Sequence, residues 1–320
     1  MGISALFRKA ARSKSNGNPI SSSTGTSQNP TISHGDRASD AHLSQKEQTT
    51  NSNPRRKSVE PVTIQLYSHN IRCDTWNLKR NEESWAKRRA RVIDCITHCS
   101  AHLPTIVGLQ EVKKNQLDDI IQGLGSGWDY FGVGRDDGID KGEFAPIFYK
   151  SSEWQLVSGT TYWLSETPAK PSKGWDAALP RIVTSIIVKH KQSGREIKCM
   201  NTHYDHKGKE ARNNSSRMIK ELASDHSHVC CVLGDFNAEP DHVAYSILAS
   251  GNLLDTATNC FKRDGFQYTF SGFSKEESES TIDYIWVTLP ARILKFHVMN
   301  NEFNDRNFSD HRPLSTIIQI

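Results

Sequence analysis

The sequence lacks the long apolar segments that membrane and secreted proteins carry. No apolar run in its 320 residues approaches the ~18 residues that span a bilayer. The first basic residue, Arg8, follows only a short apolar stretch, which does not make a secretory signal peptide. Neither a membrane-spanning protein nor a secreted one is therefore predicted.

Cysteine patterns that bind zinc are also absent. The seven cysteines all lie at or after Cys73, and no CxxC pair occurs among them. Their odd number, and an adjacent pair at Cys230 and Cys231 in an apolar run, are typical of reduced thiols inside cells. We therefore expect an intracellular, cytoplasmic protein.

Acidic residues are scarce at the start of the chain, where none precedes Asp36. Residues 1–60 contain nine Lys or Arg, four Asp or Glu, and a single aromatic, Phe7. This polar, Ser-rich composition predicts a disordered basic leader over residues 1–60. Within it, residues 2–14 are a candidate amphipathic helix. Three interpretations of that helix stay open: contact with an anionic membrane surface, a mitochondrial transit peptide, or an inert tail.

The rest of the chain is almost neutral. The whole sequence has a net charge of +4, and the leader alone has +5, so residues 61–320 carry −1. A strongly basic body that binds nucleic acid non-specifically is therefore not supported, although a local basic groove is compatible with this charge.

From Val62 onward, apolar residues recur with strand and helix periods, and no linker interrupts them. Strands outnumber helices, and many follow one another directly, which predicts one domain over residues 61–320 with two packed sheets flanked by helices. Residues 135–180 lack a regular pattern and are expected to form binding loops. The predicted strands are 62–72, 105–112, 129–134, 145–150, 181–190, 196–204, 229–234, 282–288, 292–299 and 313–319, and the predicted helices are 83–101, 114–123, 208–225 and 241–250.

Polar side chains stand where the predicted strands begin or end. In VLGDFNAEP an apolar run leads to Asp235 and Asn237, which point to the same face of an extended chain. A turn is the alternative explanation for this stretch. Six such junctions favour a shared rim instead, since each carries an oxygen or an imidazole. The polar residues at these junctions are Asn70, Glu111, His203, Asp205, Asp235, Asn237, Asp283, Asp310 and His311.

The chemistry of this rim follows from its residue types. Carboxylates without thiolate partners suit Mg²⁺ or Mn²⁺ better than a closed zinc site. Histidines can stabilise charge on a phosphate or donate a proton, and an aspartate can activate water. Amides donate hydrogen bonds without repelling a phosphate. Together these groups predict metal-assisted in-line hydrolysis of a phosphate ester.

The motifs resemble those of the endonuclease/exonuclease/phosphatase superfamily, which has the deoxyribonuclease I-like fold. The resemblance covers residues 62–320 and implies a four-layered α/β/β/α sandwich with Mg²⁺-dependent phosphoester cleavage. The matching stretches, in chain order, are SHNIR at 68–72, LQEV at 109–112, NTHYDH at 201–206, GDFNAEP at 234–240, IDYIWV at 282–287 and SDHRP at 309–313.

The resemblance implies a role for each catalytic candidate. His203 is similar to the histidine that serves as acid or phosphate clamp, and Asp235 to the aspartate that activates water. Asn237 is similar to the amide that contacts the transition state. Asp283 resembles the carboxylate that orients His311, and His311 is either the base or a phosphate clamp.

The resemblance also implies a metal site, and two further residues are candidate substrate contacts from their positions in the sequence. Glu111 resembles the metal-binding glutamate, Asn70 its neighbour and Asp310 a second metal-side acid, so Mg²⁺ is expected, with Mn²⁺ as the alternative. Arg181 opens a predicted strand and is either a phosphate clamp or a surface guanidinium. Asp205 is expected to contact the substrate.

The motifs specify the reaction more closely than the substrate. We expect phosphodiester hydrolysis, with nucleic acid as the leading substrate and DNA or RNA left open. The alternatives are a lipid phosphodiesterase similar to sphingomyelinases, a phosphatase for small molecules or inositol phosphates, and a non-catalytic binding module. We expect a monomer, with peripheral membrane contact through residues 2–14 as an additional interaction.

Overall fold

The computed structural model describes residues 60–320. The predicted leader and its helix at residues 2–14 lie outside the described residues, so both stay predictions. Within residues 60–320, every helix is too short or too polar to cross a membrane.

Strands outnumber helices along the described chain, and many strands follow one another directly. The helices are α1 (Trp85–Cys99), α2 (Lys114–Leu124), α3 (Lys209–Leu222), α4 (Val243–Ala249) and α5 (Thr256–Asn259). The strands are β1 (Thr63–Asn70), β2 (Thr105–Gln110), β3 (Trp128–Phe131), β4 (Ile147–Lys150), β5 (Trp154–Trp163), β6 (Ile182–His190), β7 (Glu196–His203), β8 (Val229–Asp235), β9 (Leu253–Asp255), β10 (Lys262–Gly265), β11 (Asp283–Thr288), β12 (Arg292–Val298), β13 (Glu302–Phe303), β14 (Arg306–Asn307) and β15 (Leu314–Gln319).

Two mixed sheets form the centre of the molecule. Sheet 1 has the strand order β10-β12-β15-β1-β2-β4-β3, and sheet 2 has the order β5-β6-β7-β8-β11-β9. In sheet 1, β1 is parallel to β2 and antiparallel to β15. In sheet 2, β8 is parallel to β7 and antiparallel to β11. The parallel pairs place the carboxyl ends of their strands at the same edge of each sheet.

Three apolar clusters account for the layers. One lies between the sheets and includes Leu66 of β1 and Leu233 of β8. A second packs α1 and α2 on the outer face of sheet 1, and a third packs α3 and α4 on the outer face of sheet 2. The buried positions of α1 recur at helical spacing, from Trp85 through Val92 to Ile96. The predicted four-layered α/β/β/α sandwich is therefore confirmed.

A buried asparagine connects the two sheets. Asn201 of β7 is fully buried, and its Nδ2 donates to the carbonyl oxygens of Leu109 (2.8 Å) and Pro146 (2.9 Å). Its Oδ1 accepts from Gln110 Nε2 at 2.6 Å. A Cβ at Gly108 would lie 2.9 Å from the Asn201 side chain, so glycine permits this close approach.

The prediction of an irregular segment over residues 135–180 was wrong in part. Trp154–Trp163 forms β5, which pairs with β6 at the edge of sheet 2. Half-exposed Ser, Thr and Gly residues interrupt its apolar pattern, as expected for an edge strand. The short strands β9, β10, β13 and β14 and the single-turn helix α5 were also not predicted.

Several cysteines belong to the buried layers. All seven are free thiols, and Cys230 and Cys231 are fully buried in β8. They therefore act as small apolar side chains within the layers.

We expect the substitution Asn201→Ala to lower the free energy of unfolding by about 2–4 kcal/mol, because it leaves buried polar groups of sheet 1 without partners. Urea denaturation followed by circular dichroism measures this change. Asn115→Ala, at an exposed position of α2, is the matched control and should change stability by no more than about 0.5 kcal/mol. Equal stability of the two variants would contradict the role of Asn201.

Candidate active site

The strand register of sheet 2 brings three predicted site residues side by side. His203, at the end of β7, pairs with Asp235 at the end of β8. Asp235 pairs on its other side with Asp283, the first residue of β11. Residues 80 positions apart in the chain are thereby placed on adjacent strands.

Sheet 1 provides the opposite wall. Asn70 ends β1 opposite Gln110, the last residue of β2, so Glu111 follows at the same edge. Asp310 and His311 lie just before β15, which runs antiparallel to β1. Ser309 Oγ donates to the carbonyl oxygen of Asn70 at 2.6 Å and fixes this segment against β1.

One side chain joins the two walls. Asn70 Nδ2 donates to Asp235 Oδ2 at 2.9 Å and lies 3.1 Å from Glu111 Oε1. Asn70 is fully buried, and its Oδ1 accepts from the backbone N–H of Arg72. The metal candidates of sheet 1 and the water-activating candidate of sheet 2 therefore share a hydrogen-bond partner.

Strained backbone is concentrated at this edge. Arg72, Glu111 and Asn237 have φ values of 56°, 61° and 46°, which lie in the left-handed region that non-glycine residues rarely adopt. Each such residue costs on the order of 1–3 kcal/mol and persists when surrounding contacts hold it. All three line the same cavity.

His311 is held by a buried carboxylate. Its Nδ1 lies 2.8 and 3.0 Å from the two oxygens of Asp283. Thr269 Oγ1 donates to Asp283 Oδ2 at 2.7 Å. Burial disfavours the charged imidazole, but the carboxylates of Asp283 and Asp235 outweigh burial and raise the pKa of His311 to about 10. The ring is therefore cationic at neutral pH, with its Nε2 directed at Asp235, 3.7 Å away.

Asp235 is surrounded by hydrogen-bond donors. Its Oδ1 accepts from the backbone N–H of Asn237 at 2.9 Å. Its Oδ2 lies 3.4 Å from His203 Nε2, in addition to the contact with Asn70. Burial and the nearby Asp283 carboxylate raise the pKa of Asp235 to about 7. A carboxylate with such a pKa is suited to accept a proton near neutral pH.

His203 has a different electrostatic environment from His311. Burial and the adjacent Arg181 guanidinium lower the pKa of His203 well below its usual range. The imidazole is therefore neutral, which suits a hydrogen-bonding role better than that of a general acid. Its Nδ1 is buried without a hydrogen-bond partner and lies 3.7 Å from Glu143 Oε2.

Glu111 and Asp310 fit a divalent cation. Burial acts in the opposite direction, but the Cys73 backbone N–H, the Arg72 guanidinium and the cationic His311 hold the pKa of Glu111 well below its ordinary value. Asp310 Oδ1 is buried and accepts no hydrogen bond. Glu111 already accepts from Asn70 and the Cys73 N–H, and Asp310 Oδ2 accepts from Lys79, so Asp310 Oδ1 is the open ligand atom that a hard cation would meet here.

A second group of potential ligands lies close by. Donor atoms of Asp235, Asp283 and His311 come within 4.8 Å of one another. Both oxygens of Asp283 are already engaged by His311 or Thr269. We therefore interpret this group as a hydrogen-bonded relay beside the Glu111 and Asp310 site.

The converging side chains line a cavity of about 410 Å³. Most of the predicted site residues border it, and Asp283 lies behind His311. Sequence reasoning did not identify several cationic and polar lining residues. The lining residues are Arg72, Cys73, Lys79, Glu111, Glu143, Leu179, Arg181, His203, His206, Asp235, Asn237, Phe270, Ser280, Ile282, Asp310 and His311.

Two of the predicted substrate contacts differ in their placement. Arg181 lines the cavity and is only 4 % exposed, so it is not a surface guanidinium. Asp205 does not line the cavity. Its oxygens accept from the backbone N–H groups of Leu179, Lys207 and Gly208, and its Oδ2 lies 3.5 Å from Arg181 Nε. Asp205 therefore anchors the loop and Arg181, in place of the predicted substrate contact.

Asn237 is also partly committed to the protein. Its Nδ2 donates to the carbonyl oxygen of Tyr204 at 3.0 Å. This bond fixes the amide at the cavity wall, and one N–H hydrogen of the amide can still meet a substrate.

Comparisons with known proteins agree with this geometry. The profile of the Endonuclease/Exonuclease/phosphatase family matches residues 68–311. A crystal structure of a family member from Bacteroides thetaiotaomicron is 33 % identical, with a TM-score of 0.76, over 82 % of this chain and 99 % of that one. A mannosyl-6-phosphatase from the same organism is 34 % identical, with a TM-score of 0.73, over 80 % of this chain and 99 % of that one.

More distant structures share the fold alone. The catalytic domain of human Nocturnin with a bound sulfate is 20 % identical, with a TM-score of 0.61, over 80 % of this chain and 93 % of that one. No curated protein matches the chain. The family profile covers residues 68–311 and the two bacterial structures each cover 80 % or more of the chain, so the chain belongs to the endonuclease/exonuclease/phosphatase family of phosphoester hydrolases.

Proposed function

We propose that the protein hydrolyses phosphate monoesters with Mg²⁺ or Mn²⁺ bound by Glu111, Asp310 and Asn70. The observation that carries the proposal is the position of Asp235 Oδ2. That single oxygen lies within 4 Å of donors on Asn70, His203 and His311 at the wall of the cavity. A metal bound by Glu111, Asp310 and Asn70 would neutralise charge on the phosphate oxygens and polarise the phosphorus.

Asp235 is the residue best placed to activate water. Asn70 and the Asn237 backbone N–H orient its two oxygens, and its raised pKa suits proton abstraction near neutral pH. A water molecule held against this carboxylate would attack the phosphorus in line with the leaving alcohol.

His311 is suited to bind the phosphate as a cation. Asp283 accepts a hydrogen bond from Nδ1–H of the ring, which leaves Nε2–H to donate into the cavity. Charge that develops on the phosphate oxygens is stabilised by such a fixed donor. The neutral His203 adds a second donor or acceptor without adding charge.

The charge of the cavity favours a terminal phosphate. Four cations, Arg72, Lys79, Arg181 and His311, border the cavity together with four acids, so a bound divalent cation would give it a net positive charge that attracts a dianionic monoester more than a monoanionic diester. The relative that is 34 % identical is named a mannosyl-6-phosphatase, which is a phosphomonoesterase. Both observations support a monoester in preference to the phosphodiester expected from the motifs.

Hydrolysis of single-stranded nucleic acid is the second candidate, and one observation favours it. Trp76 is 95 % exposed in the loop between Cys73 and Lys79, both of which line the cavity. An exposed indole at the rim can stack on a base. The lipid alternative, the membrane contact through residues 2–14, the monomeric state and the cytoplasmic location stay predictions.

We expect Glu111→Gln to weaken Mn²⁺ binding by about 10-fold or more, because it removes an anionic ligand from the metal site. Titration calorimetry of the metal-free protein measures this affinity. Glu153→Gln, at an ion-paired acid beside Lys150, is the matched control. Unchanged Mn²⁺ affinity in Glu111→Gln would contradict the assigned metal site.

We expect Asp235→Asn and His311→Ala each to lower kcat by about 10²–10⁴-fold while the fold is retained, because they remove the base and the cationic donor. Asp255→Asn changes a buried carboxylate on β9 that does not border the cavity, and should keep nearly the normal kcat. Thermal unfolding checks the fold of each variant. Near-normal turnover in Asp235→Asn or His311→Ala would refute these roles.

We expect EDTA to abolish activity, added Mg²⁺ or Mn²⁺ to restore it, and 4-nitrophenyl phosphate to be cleaved faster than bis(4-nitrophenyl) phosphate. Release of nitrophenol measures all of these rates. A single-stranded oligonucleotide forms the third arm. The nucleic-acid candidate would be established instead if the oligonucleotide were cleaved faster than both nitrophenyl esters. This cleavage should then be lost in Trp76→Ala and kept in Phe261→Ala, which changes another exposed aromatic residue.

A further inference from the structure

Glu143 borders the cavity, and the motifs do not account for it. It follows the turn after β3, within the segment that the sequence predicted to form binding loops. Its Oε2 accepts from Arg135 Nη1 at 2.5 Å, so its position is fixed from behind. The same oxygen lies 3.9 Å from Arg181 Nη1 and 3.7 Å from His203 Nδ1. These distances are too long for hydrogen bonds.

Arg181 is held on two sides and left open on the third. Its Nε lies 3.5 Å from Asp205 Oδ2, and its Nη2 lies 3.2 Å from His206 Nδ1. Its Nη1 is buried and makes no hydrogen bond, and its carboxylate neighbour Glu143 is 3.9 Å away. A buried donor without a partner is rare in native proteins and points to a missing acceptor.

His203 Nδ1 is the second buried atom without a partner. If His203 Nε2 carries the proton and donates to Asp235, Nδ1 is an acceptor that faces the Glu143 carboxylate. The donor Arg181 Nη1 and the acceptor His203 Nδ1 therefore both lie within 4 Å of the acceptor Glu143 Oε2, and all three residues line the cavity. Only a group that both donates and accepts can satisfy them together.

A hydroxyl group meets this requirement. Its oxygen can accept from Arg181 Nη1 while its hydrogen is donated to Glu143 or His203. A phosphate oxygen only accepts, and a second phosphate of a nucleic-acid strand would be repelled by Glu143. These three side chains are also next to the reaction centre, since His203 Nε2 lies 3.4 Å from Asp235.

We propose that Glu143, Arg181 and His203 form a hydroxyl-binding subsite that selects phosphate esters of polyhydroxy alcohols such as sugars. This inference rests on the proposed phosphomonoesterase function and specifies its substrate class. A hydroxyl near the ester oxygen would bridge Arg181 and Glu143 and hold the leaving alcohol in line with the attacking water.

The substrate itself provides a test that needs no variant. We expect the kcat/KM of mannose 6-phosphate or glucose 6-phosphate to exceed that of hexyl phosphate by about 10-fold or more, since hexyl phosphate has the length but no hydroxyls. We also expect at least one monodeoxy hexose 6-phosphate to lose most of this advantage. Release of inorganic phosphate in the presence of Mn²⁺ measures each rate.

The variants test the residues. The kcat/KM for a hexose 6-phosphate divided by the kcat/KM for hexyl phosphate should fall by about 10-fold in Glu143→Gln and in Arg181→Met. Glu153→Gln should keep the ratio of the unmodified protein. Thermal unfolding verifies that each variant is folded. If Glu143→Gln does not fold, the monodeoxy hexose phosphates alone test whether a hydroxyl group is recognised.

The outcomes separate this inference from the proposed function. Equal kcat/KM for hexose phosphates, their deoxy analogues and hexyl phosphate would overturn the hydroxyl subsite and leave the phosphomonoesterase standing. An unchanged substrate ratio in folded Glu143→Gln and Arg181→Met would overturn the assignment of the residues. If no monoester is hydrolysed in the presence of Mn²⁺, the proposed function fails and the subsite falls with it.

Discussion

The hydrogen bond from Asn70 to Asp235 is the contact on which the site depends. It joins the end of β1 in sheet 1 to the end of β8 in sheet 2, at 2.9 Å and without exposure to solvent. Each sheet is rigid within itself because its backbone ladder fixes the register, so one short bond between the sheets sets the distance from Glu111 to Asp235. Deeper in the interface, Asn201 holds the same pair of sheets together. The polar bonds between the sheets therefore fix the geometry of the cavity, while the apolar clusters supply the stability.

The order of the elements and the layers could be predicted from the sequence, because both depend on local periodicity. The apolar spacing of α1 and the continuous apolar run of β8 are visible without any knowledge of tertiary contacts. The strand β5 could not be predicted in this way. It lies at a sheet edge, its residues Ser158, Gly159 and Thr160 favour no regular pattern, and it is stabilised by pairing with β6, which is a tertiary contact.

The motif residues of the site were predictable because polar groups at strand ends are unusual in an apolar sequence context. Glu143 was not predictable, since an acid in a Gly- and Asp-rich turn resembles any solvated acid. Glu143 is distinguished by its contacts with Arg135 and Arg181, and these form only when its loop packs against the start of β6. Asp205 shows the opposite error. Its closeness to His203 in the chain suggested a substrate contact, but the strand has ended, and its carboxylate turns to accept backbone N–H groups.

The two buried aspartates of sheet 2 show how position determines role. Asp235 and Asp283 sit on adjacent strands, and two carboxylates so close would repel each other if both were ionised. His311 lies against both of them, and its positive charge offsets the repulsion. Asp283 accepts the short hydrogen bond from the ring and Asp235 has the longer contact, while burial and the nearby Asp283 raise the pKa of Asp235. A base and a cationic donor thus arise from one arrangement, in which Asp283 holds the His311 ring and Asp235 is available to take a proton from water.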